Sequence, residues 1–170
     1  TNLFTDGEAY ERMMGRWSQP VGEQFLDWLA LPKGLKCLDV GCGNGAFTDV
    51  LIAKAAPAEV TGIDPSEEQL AYARTRPGAK LAQFQAGDAQ ALPFADGSFD
   101  AATMALVISC RRGPAKAVAG MARVVRPGGW VATYMWDALG GGLPLQPMYE
   151  VIKSFGVPEP RSPNPGASRQ

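Results

Sequence analysis

The sequence predicts a doubly wound α/β domain, a parallel sheet covered by helices on both faces to give three layers. Three observations predict it. Short apolar runs alternate with helically spaced segments between residues 36 and 136. The first run empties into a glycine-rich turn. A chain of 170 residues at 46% hydrophobic content can also bury one core without a disulfide or metal staple.

Ahead of the first strand, Tyr10, Met13, Met14 and Trp17, then Val21, Phe25, Trp28 and Leu29, recur at helical spacing with a break at 18–20, which predicts two short helices. Residues 36–40 (KCLDV) form a brief, mostly apolar run stopped by Gly41, the pattern of a buried strand. Phe47, Val50, Leu51 and Ala55 share one face of a helix over 46–56, which Pro57 closes. Residues 59–64 (EVTGID) read as the second strand, and Ser66-Glu67-Glu68-Gln69 is a capping box that opens a helix through Arg74. Residues 80–86 (KLAQFQA) and 99–108 (FDAATMALVI) supply the third and fourth strands, the latter apolar enough to be central. Val118, Met121, Ala122 and Val125 predict a helix over 116–125, Arg126-Pro127-Gly128-Gly129 a turn, and 130–136 the fifth strand. Beyond them the chain becomes rich in Gly and Pro, with one helix expected over 148–155. The expected organisation is an N-terminal helical segment over 1–34, a core over 35–137 and an extension over 138–170.

Composition narrows the function. Lys plus Arg number 16 against 17 Asp plus Glu, so the basic excess that binds a phosphate backbone is missing and no nucleic-acid partner is expected. Histidine is absent, which removes Ser-His-Asp and Cys-His catalysis, His-ligated zinc and the usual base near neutral pH. No metal site is expected. Cys37, Cys42 and Cys110 form no C-x-x-C pair and read as reduced thiols of a cytoplasmic protein. No run reaches the roughly 18 apolar residues of a membrane span, and the polar, acidic start lacks a signal-peptide pattern.

The chemistry concentrates at the ends of the strands. Leu38-Asp39-Val40-Gly41-Cys42-Gly43-Asn44-Gly45-Ala46-Phe47 puts a glycine turn between strand and helix, where backbone can approach a ligand without Cβ obstruction. Gly41, Gly43 and Ala46 also satisfy G-x-G-x-x-A, so the glycines alone do not separate nicotinamide dinucleotides from other adenosyl ligands. Asp64 ends the second strand roughly twenty residues on, where a carboxylate can accept from both hydroxyls of a ribose. It reads equally as a helix-start carboxylate. Asp88 after the third strand can accept from an adenine amine, or be an ordinary turn aspartate.

These residues together resemble class I S-adenosylmethionine-dependent methyltransferases, especially the small-molecule branch with quinone-biosynthesis-like enzymes. The likeness runs in order through LDVGCGNGAF, GIDPSEEQL, GDAQALPFADGSFDAA and RVVRPGGWVATYMW. It implies a Rossmann-like sheet of seven strands in the order 3-2-1-4-5-7-6, with S-adenosylmethionine lying across the carboxyl ends of strands one, two and four and S-adenosylhomocysteine as product. It further implies that the backbone of Gly41, Cys42 and Gly43 lines the methionine and ribose portion while Asp39 holds the amino-acid end. By the same resemblance Asp64 takes the ribose hydroxyls, Pro65 flanks adenine, Asp88 meets its amine, Ala89 offers an N–H to the ring, and Met104 and Ala105 close the methionine side. Related enzymes place a helical lid before strand one, so Arg16 is a candidate for the cofactor carboxylate and Tyr10 and Trp17 for the acceptor pocket. The methionines and Trp17 read equally as a core-packing stripe with Arg16 solvated. No catalytic residue is assigned, and Cys42 is read as a small neighbour of the cofactor, since nothing nearby activates a thiol.

Two departures from the family stand out. Ser109-Cys110-Arg111-Arg112 replaces the histidine or aromatics common after strand four, which makes Ser109 a candidate acceptor contact. The final antiparallel hairpin has no counterpart in 138–170, leaving strand five an edge; truncation, an alternative product or strand donation within a homo-oligomer would account for it. The expected function is methyl transfer to a small-molecule acceptor by in-line displacement. The rivals are an NAD-dependent oxidoreductase and a noncatalytic binding or oligomerisation module.

Overall fold

A computed structural model describes residues 11–108, 113–137, 140, 142, 144 and 146–156. Its sheet has five strands in the order β3-β2-β1-β4-β5, every neighbouring pair parallel. The strands are β1 (Lys36–Val40), β2 (Glu59–Asp64), β3 (Ala82–Ala86), β4 (Phe99–Ala105) and β5 (Val125–Tyr134). The helices are α1 (Arg16–Leu29), α2 (Ala46–Ala55), α3 (Glu67–Ala73), α4 (Pro114–Val124) and α5 (Gln146–Ser154). The chain divides into two compact units, Thr1–Tyr134 and Met135–Gln170, the second of which holds α5.

Alternation along the strands builds two cores. Leu38 and Val40 of β1, Ile63 of β2 and Ala102 and Met104 of β4 face Ala117, Met121 and Val124 of α4. Cys37, Val60 and Ala101 point the other way, onto Phe47, Val50 and Leu51 of α2 and Phe25 and Leu26 of α1. Both faces of the central strands are therefore dry, which is why they read as nearly continuous apolar runs.

Four elements depart from expectation, one of them β4, which stops at Ala105 rather than reaching residue 108 because Leu106 turns to φ +59°. The break predicted at 18–20 is absent: Glu11–Gly15 is a π-helical turn that leads into a continuous α1 with Pro20 inside it. A proline in a helix interior costs about 3 kcal/mol, and the packing of α1 on α2 overrides it. That packing is close enough that a Cβ on Gly22 would stand 3.1 Å from the Phe47 ring. The third strand starts at Ala82, because Pro77–Leu81 winds into a 3-10 turn first. The predicted Arg126–Gly129 turn is real in geometry but lies within β5, looped out between Val125, which pairs with Phe99, and Trp130, which pairs with Ala101. Asp100, the residue opposite the loop, accepts from Arg126 Nε at 2.5 Å and from the Lys36 N–H at 2.8 Å, which anchors the bulge.

Candidate cofactor crevice

In a sheet of this order the chain leaves β1 toward β2 on one side while β4 lies on the other. The carboxyl ends of β1 and β4 therefore mark the switch point, where sheets of this kind bind ligands in a crevice.

Asp39 is wholly buried. Strand alternation turns it toward α2, where the Thr48 hydroxyl donates to Oδ2 at 2.6 Å. Oδ1 has no hydrogen-bond partner, alone in this among buried side-chain polar atoms of the described residues. Burial pushes the carboxyl up to about 7; the Thr48 hydrogen bond opposes this and the charge of Asp64 adds to it.

After Val40 the chain turns through Gly41 at φ +74°, and the N–H groups of Gly41 and Cys42 donate to the Ile63 carbonyl at 2.7 and 3.1 Å. A side chain at Gly41 would stand 2.9 Å from Val107 Cγ1, so the position needs glycine twice over. Gly43, at φ +51°, is different: a Cβ there would meet nothing within 4 Å, so bare backbone faces open space. The Cys42 thiol is buried, and that burial together with the charges of Asp39 and Asp64 raises its pKa far above an ordinary thiol's.

Asp64 ties three segments together. Its Oδ2 accepts from the Gly43 N–H at 3.0 Å and its Oδ1 from the Ser66 N–H at 2.9 Å. Ser66 in turn caps α3, its hydroxyl accepting from the Gln69 N–H at 3.3 Å. Pro65 is exposed beside it. At the end of β3, Asp88 is exposed, its Oδ1 accepting from the Gln90 N–H at 2.9 Å, while Ala89 is buried.

On the β4 side Met104 is fully buried in the core beneath α4, so only its backbone can reach the rim. Ala105 is half-buried, and Leu106 follows at φ +59°, its N–H donating to the Tyr134 carbonyl at 3.0 Å. No pattern in the sequence flags a left-handed leucine. Trp17 is 45% exposed. Tyr10 and Ser109 lie outside the described residues, as does the side chain of Arg16.

Sequence reasoning also missed a charged cluster behind the turn. Arg76 Nε donates to the Asn44 carbonyl at 2.5 Å, and its guanidinium pairs with Glu11 and, at 3.5 Å, with Asp49. The Asn44 amide donates to Glu11 Oε2 at 3.0 Å. These residues lie far apart along the chain, and only the folded arrangement reveals them as neighbours. Among the described residues no three His, Cys, Asp or Glu side chains gather as a metal site, and no helix is long and apolar enough to cross a membrane. Two surface grooves, of about 170 and 310 Å³, run along α1 and α2 rather than the rim.

The chain is similar to known proteins. A family described as a methyltransferase domain matches residues 38–133. The ubiquinone/menaquinone biosynthesis C-methyltransferase UbiE of Roseobacter denitrificans is 38% identical over 79% of this chain and 55% of its own length. Squalene methyltransferase 1 of Botryococcus braunii is 36% identical over 82% of this chain and 39% of its own. The chain thus spans about half the length, or less, of these relatives. A solved S-adenosylmethionine-dependent methyltransferase from Thermotoga maritima superposes with a TM-score of 0.67 at 25% identity, covering 90% of this chain and 68% of that one.

Proposed function

Because the chain belongs to the S-adenosylmethionine-dependent methyltransferases, we propose that its rim crevice holds S-adenosylmethionine and serves methyl transfer to a small-molecule acceptor. The observation that carries this reading is the buried Asp39 carboxylate, with one oxygen lacking a partner, two residues before a glycine turn whose Gly43 faces open space. A buried acceptor without a donor costs about 1–3 kcal/mol, and an ammonium group arriving over the turn would satisfy it. The donor set fits the cofactor elsewhere as well. Each Asp64 oxygen accepts one N–H and keeps a further lone pair, which suits the two hydroxyls of a ribose.

In this reading the backbone of Gly41, Cys42 and Gly43 lies along the methionine and ribose, and Pro65 flanks the adenine. Asp88 accepts from the adenine amine and Ala89 offers its N–H. Met104 and Ala105 contribute backbone on the methionine side, and Arg16 pairs with the cofactor carboxylate. Tyr10, Trp17 and Ser109 are assigned to the acceptor pocket. Bound there, the cofactor supplies a methyl group activated by an adjacent sulfonium. The chain's own part is to orient, to exclude water and to hold charge, which a histidine-free protein can do, since positioning alone can lower a barrier by about 7–11 kcal/mol.

The acceptor is read as a small molecule, since a net charge of -1 leaves no basic excess for nucleic acid. The free thiols of Cys37 and Cys42 fit a reducing, cytoplasmic setting. β5 ends the strand order, and an edge strand suits pairing with a second copy. Calorimetry with S-adenosylmethionine, S-adenosylhomocysteine and NAD tests the binding, and tritiated methyl transfer to a metabolite pool tests the turnover. Saturable binding of the sulfonium compound and its product is expected; binding of NAD alone would discard the reading. Native mass spectrometry of the purified protein reports copurified ligand and subunit number together.

A further inference from the structure

We propose that Glu11 is a positioning residue: its carboxylate, bridging Asn44 and Arg76, couples the N-terminal segment to the shape of the glycine turn. The inference rests on the reading that this turn carries the cofactor. Asn44 is 3% exposed and is bonded through both its side chain and its backbone. Its Oδ1 accepts from the Ala46 N–H at 3.2 Å, its amide donates to Glu11 Oε2 at 3.0 Å, and its backbone carbonyl accepts from Arg76 Nε at 2.5 Å. Gly45 beside it packs so tightly that a Cβ would stand 2.9 Å from Ala73 Cβ and 3.3 Å from Arg76 Cδ. Arg76 is therefore a wedge between the turn and the end of α3, stacked 5.4 Å over the Tyr72 ring. The wedge is held in place by Glu11 and Asp49.

Of the two carboxylates, Asp49 belongs to α2 and is fixed by the fold. Glu11 comes from outside the sheet, on the π-helical turn that precedes α1. Gly15 makes its position possible: a Cβ at 15 would lie 2.6 Å from Glu11 Oε1, although the backbone there is ordinary helix at φ -56°. A helical glycine normally costs about 0.5–1 kcal/mol relative to alanine, so Gly15 has the mark of a residue that makes room for the carboxylate. With Arg76 only 14% and Glu11 29% exposed, solvent screens the pair less than it would a surface one. When Glu11 is engaged, the Asn44 and Arg76 contacts close and the Gly43–Gly45 backbone is held in one shape. When it is not, the Asn44 amide loses its acceptor and Arg76 keeps only Asp49 as a charged partner, while the Asp64, Ile63 and Ala46 hydrogen bonds of the turn remain.

Hydrogen exchange on the ligand-free full chain tests the coupling directly. Glu11→Ala is expected to speed exchange at residues 43–46 roughly tenfold, as for loss of a partly buried pair, and to leave β1 amides 38–40 unchanged. Gly15→Ala, which displaces Glu11 while favouring helix, is expected to do the same to a smaller extent, and Glu11→Gln to fall between wild type and Glu11→Ala. S-adenosylhomocysteine, which carries no sulfonium charge, should bind Glu11→Ala about tenfold more weakly, with the melting temperature lowered by only a few degrees. Unaltered exchange at 43–46 in Glu11→Ala, or faster exchange spread evenly over the sheet, would overturn the proposal. If wild type binds no S-adenosylhomocysteine while the exchange pattern changes as described, the coupling stands and the cofactor reading falls.

Discussion

The β2 side and the β4 side of the carboxyl rim are built on different principles. On the β2 side, carboxylates hold backbone: Asp64 grips Gly43 and Ser66, and Glu11 with Arg76 grips Asn44. On the β4 side, Met104, Ala105 and Leu106 are held by the Thr133 hydroxyl, 2.8 Å from the Met104 carbonyl, and by the Leu106 N–H to Tyr134. Charge fixes the first side and main-chain geometry the second. On the β2 side, loss of one carboxylate frees several backbone groups at once, whereas the β4 side depends on one hydroxyl and one N–H.

The largest expected effect lies at Asp39, where the two halves meet. Its native carboxyl titrates near 7 against an ordinary value near 3.8. Between those values the native state holds the proton more tightly than the unfolded chain. This group therefore makes stability fall as pH rises through that window, by up to about 4 kcal/mol. Urea unfolding of ligand-free protein from pH 4 to 8 should show the decline, and Asp39→Asn should flatten it. Cofactor affinity should run the opposite way, weakening as pH falls below 7 and Asp39 takes up its proton.

Next comes Asp64→Ala, which orphans two N–H groups at once. A loss of about 2–3 kcal/mol in stability is expected from urea melts, with at least a hundredfold loss of S-adenosylhomocysteine affinity by calorimetry. Mutation on the β4 side should be milder and should act through the backbone. Leu106→Gly relieves a left-handed conformation that Leu106→Val, β-branched, worsens, so the two variants should differ by about 1–2 kcal/mol in melts. The smallest effect belongs to Cys42: its buried thiol should resist iodoacetamide in the native state and label only as urea unfolds the chain.

The same division explains what the sequence could foretell. β1, β2 and the glycine turn that follows β1 were legible because each signal is local: an apolar run, closely spaced glycines, a carboxylate at a strand end. The distance of Asp64 from Gly41 singles it out as a candidate, but its grip on Gly43 is hidden, since that bond needs β1 and β2 side by side. Pro20 misled because packing on Phe47 overrides a local breaker, and Arg126–Gly129 because a turn looped out of a strand has the composition of a turn between elements. Glu11 and Arg76 were invisible, being 65 residues apart. Leu106 carries its strain in a dihedral angle that no residue type announces.

The rim between β1, β2 and β4 is the proposed cofactor site. Amide chemical-shift mapping of the ¹⁵N-labelled chain during titration with S-adenosylhomocysteine tests it most directly. Saturable shifts are expected at Gly41–Ala46, Asp64 and Ser66, Asp88–Gln90 and Met104–Leu106. Shifts confined to the groove along α1 and α2, or a silent titration alongside a responsive one with NAD, would contradict it.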